Sequence, residues 1–146
     1  MAITYLTENV TLPKRFKRRL TSQWIKDVIG KYEKKVGDIA YIFCNDEKII
    51  EINRQYLRHD YFTDIITFDY TDGNMISGDV FISLETVKTN AAQYKTTYEE
   101  ELRRVVIHGV LHLCGYKDKT RKDKKNMREK EDEALDLYAG KVSDEI

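Results

Sequence analysis

Two of the three histidines in this chain, His108 and His112, stand four residues apart within the apolar run 105–113. On a helix that spacing stacks both imidazoles on one face. Gly115 follows three residues after His112, where a helix can end in the left-handed turn that glycine adopts without penalty. The chain can then fold back and bring Asp118 beside the two rings. Two imidazoles and a carboxylate around an open fourth side form a donor set that catalytic zinc uses. His108, His112 and Asp118 are therefore the candidate ligands of one Zn²⁺ ion. The competing reading makes both histidines ordinary core residues. Val105, Val106, Ile107, Val110, Leu111 and Leu113 cover most of the helix surface, however, and polar rings placed there need partners.

The spacing matches the metzincin protease signature H-E-x-x-H-x-x-G-x-x-H at most of its fixed points. It departs at two. Gly109 stands where the catalytic Glu belongs, and Asp118 stands where the third His belongs. The general base that activates water for peptide cleavage is missing. The ligand scaffold is protease-like and the standard protease chemistry is not encoded.

A closer resemblance lies elsewhere. His108-Gly109-x-Leu111-His112-Leu113-x-Gly115-Tyr116 is similar to the signature of the YbeY family, bacterial metal-dependent endoribonucleases of ribosomal RNA maturation. Asn53-x-x-Tyr56, followed by Asp60-x-x-Thr63-Asp64-Ile65-Ile66-Thr67-Phe68, resembles the family's N-x-x-Y-R-x-x-D-x-P-T-D-V-L-S-F segment. Gly78-Asp79-Val80-Phe81-Ile82-Ser83 resembles its G-D-I-x-I-S strand. The three motifs keep the family's order and spacing, across roughly residues 36 to 135. The resemblance implies a single-strand-specific, zinc-dependent endoribonuclease, with 16S rRNA 3′-end processing and ribosome quality control as its tasks. It implies ribosomal RNA, the ribosome or ribosomal proteins as partners. Three positions differ from the pattern. Asp118 replaces the last His, Leu57 replaces the Arg expected after Tyr56, and Phe62 replaces Pro. Arg58, one position along, is the candidate catalytic residue for that arginine's phosphate-binding role. A zinc peptidase-like hydrolase and a non-catalytic RNA- or ribosome-binding metalloprotein are the alternatives.

Composition sets wider bounds. A chain of 146 residues fits a single domain, 1–146. Its 25 basic and 25 acidic residues give no net charge. The chain does not advertise nucleic-acid binding by charge alone. The distribution is more suggestive. Lys14, Arg15, Lys17, Arg18 and Arg19 follow Pro13, and eight cations fall between Lys117 and Lys130. Such clusters either track a phosphate backbone or are plain solvated helix faces. No apolar run approaches a membrane span, and no secretory leader is evident. Two cysteines, Cys44 and Cys114, give no disulfide framework. Cytoplasmic residence is the default. Cys114 points away from His112 on a helix and reads as packing.

The elements that must hold these residues follow from periodicity. Ile3–Leu6 reads as a strand. A helix from Pro13 carries Phe16, Leu20, Trp24, Val28 and Tyr32, with an interruption near Thr21-Ser22, and Gly37-Asp38 ends it. Ile39–Cys44 is a buried strand, and Asn45-Asp46 caps a helix bearing Ile49, Ile50 and Ile52. Residues 64–70 and 75–83 form a hairpin about Asp72-Gly73. Ser83 caps a helix to about Tyr94. Thr97 and Glu100 open the histidine helix as a capping box. Thr120 caps a last helix, whose stripe is Met127, Glu131, Ala134, Leu135 and Tyr138 and whose end is Gly140. Residues 141–146 are expected to fray. The sum is one α+β domain, a mixed sheet of about four strands covered by about five helices, with the metal site at the end of a central helix. Asp64 and Asp79 flank the strand pair. Either can orient a ligand histidine or act as a base, and turn or cap chemistry accounts for them equally well. His59, among polar residues, reads as a surface residue.

Overall fold

A computed structural model describes residues 2–58 and 63–145, with backbone alone at 144 and 145. His59, Asp60 and Phe62 lie outside the described residues. The strands are β1 (Ile3–Thr7), β2 (Lys35–Cys44), β3 (Ile65–Asp69) and β4 (Met75–Ser83). They form one sheet in the order β1-β2-β4-β3, parallel except for the antiparallel β3·β4 hairpin. The helices are α1 (Arg18–Lys31), α2 (Asp46–Ile52, continued by a π-turn over Asn53–Leu57), α3 (Leu84–Gln93), α4 (Tyr98–Leu113) and α5 (Arg121–Glu145). This is the expected α+β domain with a mixed four-stranded sheet.

Alternation along the strands gives the sheet two unequal faces. Ile39, Tyr41, Phe43, Ile76, Val80 and Ile82 join one core with Trp24, Ile25 and Ile29 of α1 and with the apolar side of α4. Cys44 and Ile66 join a smaller cluster on the other face, under Ile49 and Ile52 of α2. Helix α4 is central: Val106, Ile107, Val110 and Leu111 have no exposure. Its buried position fixes the histidines against the sheet.

The caps behave as the sequence predicts. Asn45, Ser83 and Thr97 each accept a backbone N–H three residues on. Thr120 and Asp123 cap each other, side chain to backbone in both directions. Four boundaries differ. Helix α1 starts at Arg18, because Pro13 to Phe16 form a turn that sends Phe16 edge-on against Tyr5 and Phe43. Its apolar spacing reflects packing from a loop. No break occurs at Thr21-Ser22. Gly37 lies inside β2 beside a register shift; a Cβ there would lie 2.9 Å from the Ile76 carbonyl oxygen. This glycine permits close strand approach and ends no helix. Helix α5 runs through Gly140 to Glu145, held by an Asp27–Lys141 ion pair and by Val142 against the core. That tertiary anchoring outweighs the roughly 1 kcal/mol cost of glycine in a helix.

The core makes one pH prediction. Tyr41 is fully buried, and its hydroxyl donates to the Val106 carbonyl at 2.9 Å. Burial pushes its phenol well above the usual value, and pushes Tyr5 up to about 12 despite a hydrogen bond to Ser22. A raised phenol favours the folded state fully below the unfolded value of about 10, and that contribution is lost as pH rises through the folded value. Circular dichroism should therefore show unfolding beginning above about pH 10, with the last tyrosinate absorbance appearing together with it. Ionisation of every tyrosine near pH 10 in a still-folded chain would contradict the packing described here.

Candidate metal centre

Helix α4 ends as the sequence requires. The Gly115 N–H donates to His112 O and the Tyr116 N–H to Leu111 O, both at 3.0 Å, and Gly115 has φ +104. This Schellman closure reverses the chain. Tyr116 packs edge-on against Tyr32, and Asp118 swings back over the last turn of α4. The two imidazole centroids are 5.3 Å apart. Asp118 Oδ2 lies 3.3 Å from His108 Nε2, and its Oδ1 lies 3.5 Å from His112 Nε2. One donor atom from each of His108, His112 and Asp118 falls within 4.8 Å of the others. This group can hold a metal ion.

Two features test the fit. A tetrahedral ion with bonds of about 2.1 Å sets its ligands about 3.4 Å apart, close to the two His–Asp separations. The second feature is the far nitrogen of His108. Its Nδ1 lies 2.6 Å from Glu131 Oε2. A neutral ring donating there presents a lone pair at Nε2 to the Asp118 carboxylate, so two acceptors face each other unless a cation lies between them. Burial pushes the His108 imidazole down, and the Glu131 hydrogen bond with the charges of Glu131, Asp118 and Asp64 pushes it further up, for a net rise. The same negative surroundings favour a metal ion.

The donors open onto a cavity of about 350 Å³. The side chains of His112 and Asp118 are 36% and 40% exposed, so the centre is reachable from solvent. Glu101, Arg104, Val105, His108 and His112 form the α4 wall at helical spacing. Thr63, Asp64, Ile65 and Thr67 form the β3 side, Asn90 and Tyr94 come from the end of α3, and Arg128 and Glu131 come from α5. Asp64 accepts from Asn90 at 3.4 Å, and burial pushes its carboxyl up. Asp79 belongs to the opposite face of the sheet, paired in register with Phe68 and next to Tyr70. Arg58 is exposed in a left-handed conformation after the π-turn, and it does not line the cavity. Among the described residues the lining guanidinium groups are Arg104 and Arg128. None of the first basic cluster, Lys14 to Arg19, lines this cavity, whereas the second contributes Arg128.

Sequence reasoning missed the residue that orients the site. Glu131 is 5% exposed; one oxygen meets His108 and the other accepts from Arg104 Nη1 at 2.9 Å. Arg104 Nη2 also donates to Asp132 at 2.7 Å. A signal was available: Glu131 interrupts the apolar stripe of α5, and a carboxylate on a buried stripe needs a buried partner.

The family model described as Endoribonuclease YbeY matches residues 3–139. The chain belongs to the YbeY endoribonuclease family. YbeY endoribonucleases of Bacteroides fragilis and Bacteroides thetaiotaomicron are 62% and 58% identical over 135 residues, 92% of this chain and 96% and 98% of theirs. That of Porphyromonas gingivalis is 48% identical over 144 residues, 99% of this chain and 95% of its own. Among solved structures, the solution structure of TM1509 from Thermotoga maritima superposes with a TM-score of 0.68 at 28% identity, over 99% of this chain and 93% of that one. In this chain, Glu131→Gln should weaken divalent-ion affinity by about 10- to 100-fold, because an amide holds the His108 ring less firmly. Chelator competition measures it. Unchanged affinity would show that Glu131 contributes only to packing.

Proposed function

We propose that this chain is a zinc-dependent, single-strand-specific endoribonuclease of ribosomal RNA maturation, working in the cytoplasm as one catalytic unit over residues 1–146. Processing of the 16S rRNA 3′ end and ribosome quality control are the tasks the resemblance implies, with ribosomal RNA and the ribosome as partners. Family membership supports RNA as the substrate. The observation that carries the metal reading is the convergence of His108, His112 and Asp118 within 4.8 Å on an open cavity. Two nitrogen donors and one oxygen suit zinc.

A divalent ion held there supplies Lewis acidity to a phosphate oxygen and acidifies water. The chain's own residues do the rest. Glu131 and Arg104 keep His108 Nε2 aimed at the cavity. Asp64, pushed up by burial, can accept or return a proton at the β3 wall. Arg128, lining the cavity, offers positive charge to a phosphodiester as negative charge grows. Arg58 is the family-motif candidate for the same task. It would have to act from outside the cavity.

The peptidase alternative loses support at Gly109. A Cβ at that position would lie 3.0 Å from Val80 Cγ1 and 3.1 Å from Ile65 Cδ1, so the position of the missing Glu faces the sheet. Single-stranded RNA and a denatured protein, each incubated with the chain with and without chelator, separate the readings. RNA cleavage abolished by chelator is the expected result. Cleavage of the protein and not the RNA would overturn the proposal, as would RNA cleavage at background in every condition.

A further inference from the structure

The cavity is longer than the metal centre needs. From Glu101 to His112 its α4 wall spans about 16 Å at 1.5 Å per residue. Stacked nucleotides rise about 3.4 Å each, so the cleft is longer than one nucleotide. The three candidate donors occupy the end near the C-terminus of α4. At the other end stands Tyr94, the cap residue of α3, 59% exposed. No aromatic or cationic neighbour covers its ring among the described residues. Among the described residues the exposed aromatic rings are Tyr56, Tyr70 and Tyr94, and of these Tyr94 lines the cleft, where an uncovered ring is an available stacking surface.

The charges of the cleft differ in how they are used. Arg104 is held by Glu131 and Asp132. Arg128 makes no ion pair among the described residues. Arg128 lies close enough to Glu101 to act on its carboxyl, which burial and the neighbouring Asp64 push up against the pull of Arg104 and Arg128. With Arg104 engaged by Glu131 and Asp132, Arg128 is the lining guanidinium with no ion pair among the described residues, in a cleft whose acids are Asp64, Glu101, Asp118 and Glu131.

Resting on the endoribonuclease reading above, we propose that this end of the cleft is a nucleotide subsite, in which Tyr94 stacks on a base of single-stranded RNA and Arg128 takes a phosphate between that base and the metal centre. The subsite sets where along a strand the scissile phosphate falls. Stacking accepts any base, so the site selects unpaired nucleotides and not a sequence.

The test is equilibrium binding of the full chain to a fluorescent 2′-O-methyl oligoadenylate 12-mer and to an abasic 12-mer of the same backbone. The wild type should bind the oligoadenylate more tightly, by roughly 5- to 100-fold. Tyr94→Ala should erase that preference, and Tyr94→Phe should keep it. Arg128→Met should weaken both probes alike and lower the salt slope by about 1. Thermal melts confirm that each variant is folded. A base preference that survives Tyr94→Ala, or an unchanged salt slope in Arg128→Met, overturns the subsite while the endoribonuclease reading stands. Failure of the wild type to bind either probe overturns that reading, and the subsite with it.

Discussion

His112→Ala is expected to lose its divalent ion and its RNA cleavage together, while remaining folded. The three candidate donors come from two places: His108 and His112 from the last turns of α4, and Asp118 from the loop that Gly115 starts. Removing one leaves two ligands, and a site of two loses the multidentate hold that a three-point donor set provides. The side chain of His112 is 36% exposed and makes no hydrogen bond among the described residues, so the substitution should cost less than about 1 kcal/mol. Metal loss can thus be read apart from unfolding. Elemental analysis after dialysis should find stoichiometric metal in the wild type and below a tenth of that in the variant, an affinity loss of at least tenfold, or about 1.4 kcal/mol. His108→Ala is less clean, since it also strands Glu131 and Arg104 in a nearly buried pair. Full zinc occupancy in His112→Ala would remove His112 from the ligand set.

Elements whose signals are local were legible in the sequence. The caps at Asn45, Ser83, Thr97 and Thr120 depend on residues three apart, and each formed. The α4 terminus was legible because the Gly115 turn is a backbone requirement that few residues meet. Legibility failed where distant contacts decide. Gly37 and Gly140 look alike as punctuation, yet one admits a neighbouring strand and the other sits in a helix pinned by Asp27 and the core. Phe16 continues the spacing of α1 but belongs to a loop, because an aromatic ring packs equally well from either. The site shows the same division. The His–His–Asp convergence follows from spacing within the short segment from His108 to Asp118. The Glu131 contact spans 23 residues and needs the docking of α5 on α4, which no local pattern specifies. Arg104, Arg128 and Tyr94 converge on the cavity from three helices, so their association is tertiary information.

The largest loss of stability is expected at Gly109→Glu, the change that would restore the protease pattern. The Cβ alone would press on Val80 and Ile65 at 3.0 and 3.1 Å, with Thr67 Cγ2 at 3.6 Å. Val80 has no exposure, so a longer side chain enters the core between α4 and the β3·β4 hairpin. Overpacking there costs about 1–3 kcal/mol. A carboxylate with no partner adds about 3–5 kcal/mol. The total is comparable to the whole stability of a small domain. A thermal melt should therefore find the variant unfolded or lowered by more than about 10 °C. Gly109→Ala separates the two costs. It adds the Cβ contacts without the charge and gains up to about 1 kcal/mol of helix propensity, so it should shift the melt by only a few degrees. The pair decides why glycine stands here. A Gly109→Glu variant as stable as the wild type would mean that α4 can rotate or lift from the sheet, and that the position was free for a general base after all. A collapse confined to Gly109→Glu would mean that close packing of the histidine helix, which aims His108 and His112 into the cleft, excludes the protease base from this fold.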